Sequence, residues 1–153
     1  MTTIDERLDE LGLTLPGPYP PHDPLVAVAV HDGIARTSGQ LPRDHDGIIV
    51  TGVLGDTLDV DAGVVAARWC ALNALSVLRS ELGSLDRIRR LLTVTGFVAS
   101  APGFAQQPTV VDGASRLLFD VFGESGRHTR SAIGVAALPR GGSVEIEVTA
   151  VVD

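Results

Sequence analysis

The chain has 153 residues, enough for one domain that buries roughly two-thirds or more of its unfolded surface, and 44 % apolar with 20 % charged residues excludes a disordered chain. A net charge of −7 and a pI near 4.9, with no basic stripe, argue against broad nucleic-acid binding. Cys70 is the single cysteine, which leaves no intramolecular disulfide and no CxxC zinc pattern. The charged start MTTIDERLDELG and the lack of a membrane-length apolar run make a reducing cytoplasm the expected location.

Thr3 and Glu6 form a capping-box pattern, and Ile4, Leu8 and Leu11 follow at helical spacing, predicting a helix over 4–11. LPGPYPPHDP follows, and its five prolines specify an extended connector. LVAVAV (25–30) and GIARTSGQL (33–41) flank His31-Asp32-Gly33, the signature of a hairpin turn. Residues 42–59 are rich in Gly and Asp and read as an exposed loop with a short strand at 48–50.

Over 61–82 the apolar residues Val64, Ala67, Ala71, Leu75, Leu78 and Leu82 recur three or four apart, predicting a long helix with Gly83 as its C-cap. Ile88 to Ala99 reads as a strand. Pro108 opens a second helix over 108–122, with Val111, Ser115, Leu118 and Phe122 on one face. Residues 131–138 and 143–152 read as strands joined by the LPRGGS loop in a hairpin.

The order predicts an α+β fold: a mixed sheet with two long helices on one face and the other face bare. A mean hydropathy of +0.25 and that bare face together predict self-association.

In the last strand Val144, Ile146, Val148 and Ala150 alternate with Glu145 and Glu147, which sends the two acids to the bare face. If LPRGGS closes a hairpin, the strand that begins beside Arg130 lies next to them, and Arg130 and Glu145 edge one groove. A guanidinium suits a small carboxylate, and a carboxylate suits the orientation of water. The alternative is a structural salt bridge or two solvated strand-end charges. Ser38 in TSGQ has no His or Asp in a nucleophile pattern, so its hydroxyl reads as a backbone hydrogen-bonder. His31-Asp32 and Asp44-His45-Asp46 read as turn chemistry rather than metal ligands. No Gly-rich phosphate-binding loop follows a strand.

TSGQLP, ARWCALNAL, GFVASAPGFAQQP and DGASRLLFDVFGESGRHTRSAIGVAALPRGGSVEIEV together resemble the RidA/YjgF family, in its branch of YjgF-type putative endoribonucleases. The resemblance implies a chorismate-mutase-like homotrimer with clefts between subunits, and divides the chain into residues 1–24, a helix and Pro-rich connector, and 25–153, the family domain. It further implies hydrolysis of enamines and imines of 2-amino acids to 2-keto acids and ammonia, without cofactor or metal. By motif, the family's carboxylate-binding arginine falls on Arg130, its water-positioning acid on Glu145 and its serine on Ser38. Three positions depart. The family cysteine is Ala132, the asparagine of the second helix is Asp112, and the N-terminal tyrosine falls on Leu25, the one tyrosine being Tyr19.

The expected ligand is a small 2-imino or 2-keto acid and the expected activity imine deamination. A non-enzymatic metabolite-binding or regulatory trimer is the alternative. The endoribonuclease reading ranks last for so acidic a chain.

Overall fold

A computed structural model describes residues 1–153. Helix α1 (Ile4–Glu10) starts at a complete capping box, with the Thr3 hydroxyl accepting from the Glu6 amide and the Glu6 carboxylate accepting from the Thr3 amide. The connector then runs without helix or strand to a hairpin of β1 (Val28–His31) and β2 (Ile34–Thr37). Its turn residues Asp32 and Gly33 have φ of 47° and 74°, the left-handed pair that matches strand twist. The predicted loop holds a small ribbon, β3 (Arg43–Asp44) against β4 (Gly47–Ile48).

Helix α2 (Val60–Leu82) is capped by Asp59, whose carboxylate accepts from the Ala62 amide, and ends at Gly83 in the left-handed region, φ 79°. Strand β5 (Ile88–Ala99), helix α3 (Gln107–Phe122), strand β6 (Thr129–Val135) and strand β7 (Val144–Val152) complete the chain.

The main sheet has the order β1-β2-β7-β5-β6. β5 and β6 are parallel across α3, while β7 is antiparallel to both β2 and β5 and so fills the centre of the sheet. The expected hairpin between the last two strands is therefore not formed. The link 136–143 is long enough to step over one strand, and β5 lies between. The Ala99 amide donates to Ser143 O and the Ser100 amide to Val135 O, which ties the end of β5 to both sides of the crossing.

α2 and α3 pack on one face of this mixed sheet, as the α+β expectation requires. The core cluster comprises 31 buried residues, and Leu8 and Leu15 from the N-terminal region belong to it. α2 contributes small residues, Ala66, Ala67, Ala71 and Ala74, so that it can meet both the sheet and α3 closely. At Gly113 a Cβ would overlap the Val64 carbonyl, which makes glycine the residue that sets the spacing between the two helices.

The buried stripe of α3 is Val110, Val111, Ala114, Leu117, Leu118 and Val121. Ser115 and Phe122, expected on that stripe, lie at its margin, because α3 is wedged between α2 and the β5–β6 edge. By length and composition alone α2 could cross a membrane, although Asp61, Arg68, Arg79 and Glu81 break its apolar run. More than half of that apolar stretch is buried inside the protein, so its apolarity serves the core. Within it the Cys70 thiol donates to Val144 O at 3.4 Å, joining α2 to β7.

Candidate ligand site

Arg130 sits second in β6, paired with Val94 of β5. Val94 is fully buried under the helices, and paired residues of parallel strands share a face. Arg130 therefore turns toward α3. Its Nη1 donates to Asp112 Oδ1 at 2.8 Å and to Ser115 Oγ at 3.2 Å, and its Nη2 to Pro108 O at 3.3 Å. Asp112 and Ser115 are three residues apart, hence neighbours on one helix face. The Arg130 side chain is 22 % exposed and that of Asp112 46 %.

Behind them stands His128, which the sequence reading passed over. Its Nδ1 lies 2.6 Å from Gly126 O and its Nε2 2.9 Å from Ser115 Oγ. A carbonyl can only accept, so Nδ1 carries the proton that donates to it. In the tautomer with the proton on Nδ1 alone, Nε2 accepts the Ser115 hydroxyl proton, and Ser115 keeps its lone pairs for the Arg130 guanidinium. These groups edge an open groove of about 560 Å³, also lined by Arg116 and Arg127.

Glu145 opens the same strand face as Glu147, the one opposite the helices, and pairs with Phe97. Between Arg36–Thr149 and Gln40–Ile146 the chain advances four residues on the β2 side and three on β7. One extra residue is thus accommodated at Ser38-Gly39, a β-bulge beside Glu145. Gly39 lies directly under that carboxylate, and a Cβ there would overlap it. No hydrogen bond or ion pair engages Glu145. Burial, and secondarily the charge of Glu147, push its carboxyl above the ordinary value of 4.5. Glu147 itself pairs with Arg36 at 3.2 Å.

The predicted residues thus divide between the two faces. Arg130 meets Asp112 on the helix face, and Ala132, two residues along the same side of β6, registers with Gly96 and packs on the core. Glu145 meets the Ser38-Gly39 bulge on the other. Ser38 Oγ donates to Val26 O at 2.7 Å, and its amide donates to Ala27 O at 2.8 Å, the backbone bonding expected of it. Within one chain Arg130 and Glu145 do not share a groove. That expectation rested on a hairpin the sheet does not contain.

Tyr19 was noted only as out of place. Arg43 Cζ stacks 3.5 Å from its ring centroid, and Arg140 Nη2 donates to its hydroxyl at 3.0 Å. The Arg140 hydrogen bond and charge lower the phenol's pKa. The tyrosine so pins the connector against the loops near the start of β7.

Residues 7–146 match the family model described as "YjgF/chorismate_mutase-like, putative endoribonuclease". The chain is 43 % identical over 145 residues to Protein TCP17 of Trypanosoma cruzi, covering 94 % of this chain and 91 % of that one. A crystal structure of a protein of unknown function from Agrobacterium tumefaciens is 42 % identical with a TM-score of 0.92, covering 99 % and 94 % of the two chains. Another, described as a putative endoribonuclease from Shewanella oneidensis, is 29 % identical with a TM-score of 0.95, covering 99 % and 100 %.

Proposed function

The chain belongs to the YjgF/RidA, chorismate-mutase-like family, and from that membership we propose that it binds small 2-imino or 2-keto acids and hydrolyses the imines to 2-keto acids and ammonium. The observation that carries the proposal is Arg130, a largely buried guanidinium at the edge of an open groove, with its Nε–H taken by no protein acceptor. It holds the substrate carboxylate.

Glu145 is the water-directing group. Its carboxylate is half-buried, unpaired and raised toward the working range of a general base. It takes one proton from water as the oxygen adds to the imine carbon and passes it to the nitrogen; as the C–N bond breaks and the C=O forms, the hydroxyl proton of the carbinolamine leaves through the same carboxylate and completes the ammonium. In total R–C(=NH2+)–COO− and H2O give R–CO–COO− and NH4+. The Ser38 bulge holds the Glu145 side of the cleft, and Ala132 keeps β6 seated so that Arg130 faces it.

Because the two residues occupy opposite faces, the proposed site joins Arg130 of one copy to Glu145 of another, within a cytoplasmic homotrimer. The exposed Ile34 and Ile133 of the bare face support such an assembly. The chemistry draws on no cofactor. A non-enzymatic metabolite-binding trimer is the second reading, favoured by one observation: Asp112 already occupies Arg130. RNA cleavage ranks last, since the net charge is −7 and several arginines are paired with acids of the same chain.

The test generates 2-imino acids in situ with an amino-acid oxidase, traps the imine and follows its decay. Wild type accelerates decay, Glu145→Ala loses about 10²–10⁴-fold of that acceleration, and Arg130→Ala raises KM. No acceleration across several side chains sinks the deaminase, and binding of 2-keto acids through Arg130 in that case selects the second reading. A monomeric mass in sedimentation at micromolar concentration removes the shared cleft.

A further inference from the structure

We infer that Asp112 makes the Arg130 site selective for ligands that carry a cation beside their carboxylate, 2-iminium or 2-amino acids, over 2-keto acids of the same shape. The inference rests on the reading of Arg130 as the carboxylate clamp.

Asp112 Oδ1 takes one Arg130 donor at 2.8 Å, while Oδ2 has no partner and the side chain is 46 % exposed. The other groups on the guanidinium are Ser115 Oγ and Pro108 O, neither of them charged. His128 bears on it only through Ser115. Among the remaining groups of the groove, Arg127 is tied to Glu124, and Arg116 and Asp120 lie exposed on α3 with opposite charge. The charge of Arg130 is therefore already matched by Asp112.

A ligand bearing only a carboxylate brings a second anion to one guanidinium and faces Asp112 without compensation. A ligand with an iminium or ammonium on its α-carbon brings its own cation and offers it to the free Asp112 oxygen, a charge-assisted hydrogen bond. The same physics separates substrate from product. Hydrolysis converts a zwitterionic imino acid into a keto acid with net charge −1, and Asp112 repels what remains while the ammonium departs. An asparagine at this position, as the family resemblance implies, lacks that discrimination because its amide is neutral.

Binding of 2-aminobutyrate, 2-oxobutyrate and butyrate is measured by titration calorimetry on wild type, Asp112→Asn and Arg130→Ala. Asp112→Asn is nearly isosteric, and circular dichroism checks that each variant is folded. Wild type should favour 2-aminobutyrate over 2-oxobutyrate by about tenfold or more, and Asp112→Asn should erase or reverse that ratio by strengthening 2-oxobutyrate. An equal ratio in wild type and Asp112→Asn, with all binding lost in Arg130→Ala, overturns the selectivity and leaves the clamp standing. Absence of binding in wild type, or binding indifferent to Arg130→Ala, overturns the clamp and the selectivity together.

Discussion

The two faces of the central sheet are built from the same strands and finished differently. On the helix side β7 contributes Val144, Ile146, Val148, Ala150 and Val152, all buried, and the polar groups at its margin are paired: Arg130 with Asp112, Ser115 and Pro108, and Ser115 with His128. On the other side the same strand presents Glu145 without a partner and a carboxyl driven up by burial, while Ile34 and Ile133 stand exposed. Period-two alternation makes such a division inevitable in a one-sided sheet. The difference teaches that stability is concentrated on one face and unspent interaction capacity on the other.

The sharpest way to break that contrast is a truncation on each side. Leu118→Ala removes a fully buried side chain between α3 and the sheet and should cost about 2–5 kcal/mol in urea unfolding. A loss below about 1 kcal/mol would mean that the helix face is not the stability reservoir. Ile133→Ser, at 44 % exposure on the bare face, should instead act on association. Sedimentation should show the concentration for half-assembly rising about tenfold, the equivalent of about 1.4 kcal/mol, and an unchanged mass distribution would show that this face is not covered by a neighbour.

The smallest effect sharpens the contrast through pH. Since the Glu145 carboxyl is raised in the folded protein, the fold binds its proton more tightly than the unfolded chain does. Its favourable contribution is complete below the ordinary value and fades as pH rises through the raised one. Glu145→Gln removes the fading, so the variant should melt higher than wild type at neutral pH, with the gap closing toward the ordinary carboxylate range. A gap that does not change with pH would place its cause elsewhere than in this carboxyl.

Local signals carried most of the elements. The Thr3 capping box, the Asp32-Gly33 turn, the α2 periodicity ending at Gly83 and the alternation of β7 each concern residues within a few positions of one another, where sequence and backbone geometry are directly coupled. Strand partnership is different in kind. Nothing within 136–143 reveals that β5 intervenes, because that choice is made by the burial of β7 on both edges of its backbone, far away in the chain. The misplaced pairing propagated to the site: placing β6 beside β7 puts Arg130 and Glu145 in one groove, whereas β5 lies between them and the register, Arg130 with Val94 and Glu145 with Phe97, sets the two on opposite faces.

The stripe of α3 slipped for a related reason. Leu117 and Val121 are as apolar as the residues chosen, and only the wedge between α2 and β6 decides that Ser115 turns out toward His128. A serine three residues after Asp112, on the helix whose partner strand is preceded by His128 and begins Thr-Arg, is the available signal, visible only once that pairing is known. Tyr19 offered none, since Arg43 and Arg140 lie 24 and 121 positions away.

Cys70 gives the fold a means of timing itself. Its thiol lies fully buried between α2 and the start of β7, and burial, with the Glu145 charge second, holds its pKa well above the usual thiol value. Being the only thiol in the chain, it reacts with a soluble disulfide reagent only when α2 lifts from the sheet. The rate of that single modification is then a stopwatch for the opening of the seam between α2 and β7.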